Sequence, residues 1–115
     1  MKELSELNLN QFIGTSEYYR HSFFKMTYTD GIKYLADKAG CYWLLDIIAT
    51  EIFPSLRKQP FIVINMKVED NKAVITADDG NKNVFYTRAV EYTDFPSGDL
   101  KLYLQGGVLL LPSEY

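Results

Sequence analysis

The chain has 115 residues, 47% hydrophobic and 15% aromatic, with a net charge of −3 and a pI near 5.1. One domain with its own core follows, and the composition excludes disorder, which needs low hydrophobicity and high net charge. The acidic balance argues against nucleic acid as a partner, since a binding face must neutralise phosphates. One cysteine, Cys41, cannot form an internal disulfide, and with one histidine it falls short of a structural zinc set.

Residues 1–13 are polar, with Leu4 and Leu7 suited to an N-terminal arm or a short helix. They lack the apolar run of a signal peptide, and no later run reaches the roughly 20 apolar residues of a membrane span. A soluble cytoplasmic protein is expected. Segment 14–58 reads as an aromatic strand followed by two helices. After the break at Gly14-Thr15-Ser16, Tyr18 to Thr29 alternates in the manner of a strand, with Phe24, Met26 and Tyr28 on one side.

Thr29-Asp30-Gly31 is a helix-start signal, because Thr29 or Asp30 can accept from free amides of the first turn. Ile32, Leu35, Ala36 and Ala39 share one helical face, and Gly40 suits a left-handed cap. The spacing predicts a second helix from about Cys41 to Phe53, apolar nearly all round and ended by Pro54.

From residue 60 to 111 the period changes to two. Strands centred on Ile62–Val68, Ala73–Ala77, Val84–Tyr92, Leu100–Gln105 and Val108–Leu111 are separated by turn residues: Asp70-Asn71, Asp79-Gly80-Asn81, a loop at Asp94–Asp99, and Gly106-Gly107. Strands joined by short turns imply a meander. The expected fold is α+β: one domain, with two main helices on one face of a four- to five-stranded antiparallel sheet.

Residues 14–48 hold five of the nine tyrosines and the only tryptophan, histidine and cysteine. His21 is the first catalytic candidate, since histidine alone titrates near neutrality unperturbed. A general base needs an orienting acid, here Asp30, Asp46 or Glu17, and a nucleophile, here Ser22, Ser16, Thr15 or Cys41. None of these sits in a recognisable nucleophile motif, so a structural histidine near a strand end is favoured.

Asp46 stands in YWLLDIIA, the most apolar stretch. Either it lies on a narrow exposed stripe with Thr50, or it is buried and satisfied by Arg20, a tyrosine hydroxyl or amides of Tyr18–His21. Tyr18, Tyr19, Tyr28, Tyr34, Tyr42 and Trp43 read either as a recognition surface or as a seal between helices and sheet. Tyr18 and Tyr19 are neighbours on an extended segment, so one should face inward and one outward. No phosphate loop, calcium loop or metal set is present, and no cofactor is expected.

GTSEYYRH, YTDGIKYLADKAGCYWLLDIIA and GVLLLPSEY together resemble a family of small uncharacterised proteins from bacteria and their phages or other mobile elements. The resemblance spans almost the whole chain and implies a stand-alone domain. Its markers identify a family and carry no activity.

The expected function is that of a small non-enzymatic binding protein. An aromatic face of Tyr18, Tyr19, Tyr28, Tyr34 and Trp43, with Arg20, His21, Asp30 and Asp46 as polar anchors, would meet a protein or a small ligand. The setting implied by the resemblance fits a modulator of a host protein. Homodimerisation through the outer sheet face or an edge strand is also expected, from Val63, Phe85 and Tyr103. The alternative is a small hydrolase or transferase using His21 with Asp46 or Asp30. A single-strand nucleic-acid binder stacking bases on tyrosines is the third reading, weakened by the charge.

Overall fold

The computed structural model of the chain describes residues 11, 18–21, 25–57 and 60–115. Helix α1, Asp30–Ala39, starts where Thr29 accepts from the Ile32 N–H through its hydroxyl (3.5 Å). It ends at Gly40, whose φ of 63° needs no Cβ and whose N–H reaches the Ala36 carbonyl. Its buried face is Gly31, Ile32, Leu35 and Ala36, the apolar spacing of the sequence.

Helix α2, Tyr42–Ile47, widens into a π turn at Ile48–Ile52 and tightens into a 3₁₀ segment at Phe53–Arg57. The helical path therefore does not stop at Pro54. The proline falls in the first turn of the 3₁₀ segment, where its missing N–H has no intrahelical role. The wider turn lets the Phe53 N–H reach Ile48.

Among the described residues the sheet has seven strands: β1 (Tyr18–Arg20), β2 (Thr27–Thr29), β3 (Phe61–Glu69), β4 (Lys72–Asp78), β5 (Val84–Val90), β6 (Gly98–Gln105) and β7 (Val108–Leu110). Their order is β1-β2-β7-β6-β3-β4-β5. The meander is antiparallel as expected, with both turn residues at positive φ in Asp70-Asn71 (53° and 62°) and Gly106-Gly107 (58° and 84°).

Two expectations are corrected. The aromatic segment is not one strand: β1 and β2 pair antiparallel across a break, closed by the His21 N–H on the Met26 carbonyl (2.9 Å). Nor is the sheet four- to five-stranded and purely antiparallel, because β2 lies parallel to β7, with Tyr28 beside Leu109. Periodicity reveals a strand but not its neighbour, and this neighbour lies 80 residues further along the chain.

One sheet face is core. Ile62, Ile64, Met66, Ile75, Leu102, Leu104 and Leu109 are buried with Ile32, Leu35, Leu44, Leu45, Ile48 and Ile52 of the helical layer. On the other face Phe61, Tyr103 and Tyr115 pack ring against ring at 5.2–5.7 Å. This packing corrects the exposed outer face: Val63 is buried and Tyr103 half-buried, and of the three residues named only Phe85 is exposed. Among the described residues no helix is long and apolar enough to cross a membrane. The N-terminal arm lies outside them, apart from residue 11.

Candidate functional site

Strand β1 ends at Arg20, and the next residue turns its imidazole toward α2. His21 Nε2 stands 2.7 Å from Asp46 Oδ1. The carboxylate is an acceptor, so this nitrogen carries the proton. The imidazole side chain is only 7% exposed, whereas that of Asp46 is 68% exposed.

Asp46 thus belongs to the exposed stripe. Tyr42, Asp46 and Thr50 follow one another at four-residue spacing and are all exposed. The Thr50 hydroxyl donates to the Asp46 carbonyl (2.8 Å), which is helix back-bonding and leaves the carboxylate free of that task.

A His–Asp contact matches part of a catalytic triad, but the exposure is inverted. In a triad a buried carboxylate orients an imidazole whose other nitrogen meets substrate. Here the imidazole is enclosed and the carboxylate faces solvent. The proposed nucleophile Cys41 is also unsuited. It is buried, its Sγ lies 3.8 Å from the Leu35 carbonyl, and burial pushes its thiol up to about 12. A neutral buried thiol is a poor nucleophile. A disulfide reagent at pH 8 is expected to label Cys41 only as fast as the protein unfolds; labelling at a free-peptide rate would contradict this burial. Thr15, Ser16, Glu17 and Ser22 lie outside the described residues.

The aromatic set divides. Tyr18 is 63% exposed and Arg20 is exposed, while Tyr19 turns the other way and stacks on Tyr28, with centroids 5.7 Å apart. Lys33 Nζ lies 5.4 Å from the Tyr19 centroid, and Lys38 Nζ 5.8 Å from that of Tyr34. Tyr34 is half-buried, and Trp43 and Tyr28 pack on the core as a seal. Asp30 opens α1 and is half-buried. The outward group is therefore Tyr18, Arg20, Tyr42 and Asp46. Tyr42 also donates to Asp37, which receives Lys33 Nζ at 3.0 Å. Those two bonds, the tyrosine's first, hold the Asp37 carboxyl below its usual value.

Sequence reasoning missed three arrangements. Glu114 accepts from the Thr29 hydroxyl (2.6 Å), the Gly31 N–H (3.2 Å) and the Leu111 N–H (3.0 Å), so it completes the cap of α1. Both partners stood in the quoted segments TDG and PSEY, but nothing local linked them. Glu51 accepts from the Tyr86 hydroxyl (2.6 Å) and pairs with Arg88; burial first, and then that hydroxyl bond, push the Tyr86 phenol up to about 12. The third is a groove of about 350 Å³ on the outer sheet face, lined by Phe61, Tyr103, Lys82 and Lys101 among others. Among the described residues no group of three or more His, Cys, Asp or Glu could hold a metal.

Fold and surface define a small α+β domain with a helical layer on a mixed seven-stranded sheet. The chain belongs to a family of unknown function, DUF6876, whose model matches residues 3–115. No curated protein and no solved structure matches it.

Proposed function

We propose that the protein is a small non-enzymatic binding protein that engages a partner protein through Tyr18, Arg20, Tyr42 and Asp46. The observation that carries this reading is the Asp46 carboxylate, 68% exposed yet held at 2.7 Å by an enclosed imidazole. An exposed carboxylate usually loses rotamer freedom on binding; one already held loses less, which favours affinity. Tyr42, one turn away, supplies a large side chain with few rotamers, as does the exposed Tyr18 of β1. The partner surface complementary to Asp46 on this acidic chain is basic. In the phage or mobile-element setting that the sequence resemblance implies, such a protein fits a modulator of a host protein.

The test is capture from host lysate by the tagged protein, beside Tyr18→Ala/Asp46→Ala. One stoichiometric protein, retained by the wild type and lost by the variant, is expected. An empty capture by folded protein would contradict the reading.

The 2.7 Å contact also favours a second reading, a hydrolase or transferase using His21 with Asp46. That reading requires the imidazole to open toward a substrate. It predicts that His21→Ala abolishes turnover at unchanged stability.

A further inference from the structure

The sheet has two edges of different character. β1 is an edge of three residues, short enough to discourage further pairing. β5 is an edge of seven residues, VFYTRAV, of which Val84, Phe85, Thr87, Arg88 and Ala89 are exposed. It carries no proline and one charge. Its register slip, between Ala77 and Asp78, lies at the Val84 end and leaves Tyr86 to Val90 regularly paired with β4. Such an edge is a template for another strand, since among the described residues its outer row of N–H and C=O groups has no strand partner.

We propose that β5 pairs antiparallel with β5 of a second copy about a two-fold axis through Thr87, joining two sheets into one. Pairing about a two-fold is self-complementary, and with the same sheet face up it must centre on a residue. Centring on Arg88 would place like charges directly opposite, which is destabilising. Centring on Tyr86 would leave Ala89 and Val90 beyond the overlap. Centring on Thr87 opposes no like charges and keeps all seven residues within it.

In that register Arg88 of each copy faces Tyr86 of the other. Tyr86 already donates to Glu51, so each guanidinium meets a ring backed by a carboxylate. On the other face Phe85 lies opposite Ala89, whose neighbour on β4 is Val74. Phe85 is 38% and Val74 44% exposed, so a large ring covers a small residue and an exposed apolar one.

The test is sedimentation of the full chain across a dilution series, with Thr87→Lys and Thr87→Glu. The wild type is expected at twice the 13.3 kDa chain mass. Each variant should be monomeric, because it sets like charges across the axis, and an equimolar mixture should restore the dimer through Lys–Glu pairing. Thr87 is exposed, so the monomer fold is retained; Ala89→Glu, which would set a carboxylate against the Phe85 ring, is the second disruptor should one variant misfold. A monomeric wild type, variants as dimeric as the wild type, or a mixture that stays monomeric would each overturn the proposal. So would an edge occupied only by an extended segment of another protein.

Discussion

Replacing Gly31 by alanine is expected to destabilise the protein by about 2 kcal/mol. The same exchange in an open helix interior stabilises by about 1 kcal/mol, so the sign itself is diagnostic. A Cβ on Gly31 would stand 2.5 Å from Leu111 Cδ1 and 2.7 Å from Glu114 Oε1. Neither neighbour yields readily: Leu111 is 1% exposed, and Glu114 is fixed by its three hydrogen bonds. Thermal unfolding checks the effect, as a fall in Tm of about 8 °C. In a Glu114→Ala background the penalty of Gly31→Ala should shrink by about 1 kcal/mol, because one of the two obstructions is gone. Equal penalties in both backgrounds would show that Glu114 is not what fills the space.

His21→Ala is expected to cost about 2 kcal/mol, as a buried side chain and its charge-assisted bond are lost together. Asp46→Asn should cost less than about 1 kcal/mol, because the amide oxygen still accepts and the group is solvated. The asymmetry follows from the 7% against 68% exposure of the two side chains. A buried imidazole anchors the break between β1 and β2, whereas the carboxylate it touches is surface. Equal losses for the two variants would contradict that division. Retained stability in His21→Ala, together with loss of a measurable turnover, would bring the enzyme reading forward.

What was legible in the sequence was local. Thr29 and Gly40 bound α1 as its capping chemistry requires, and paired residues at positive φ close both hairpin turns as their types require. The period of two located β3 and β6, where Ile62, Ile64, Leu102 and Leu104 are all buried. Relations between distant segments were not legible. The parallel seating of β2 on β7, the reach of Glu114 to Thr29 and the burial of Val63 all depend on which strands become neighbours. Pro54 misled for a different reason: a proline ends an α-helix, but it is accommodated where the backbone has already changed its winding. At the site, the sequence singled out His21 and Asp46 without showing that they meet, and it could not rank Tyr18 above Tyr19.

The join between the beginning and the end of the sheet has a consequence for synthesis. Thr27 and Gly107 are 80 residues apart, and Thr29 and Glu114 are 85. At about 5–20 residues per second, the nascent aromatic hairpin waits several seconds for the strand that covers its side and the acid that finishes its helix. Contacts of such long range slow folding, since loop closure precedes their reward. The segment made early is thus the one completed late, and it stays open to chaperones and to stray strand pairing until β7 has left the ribosome.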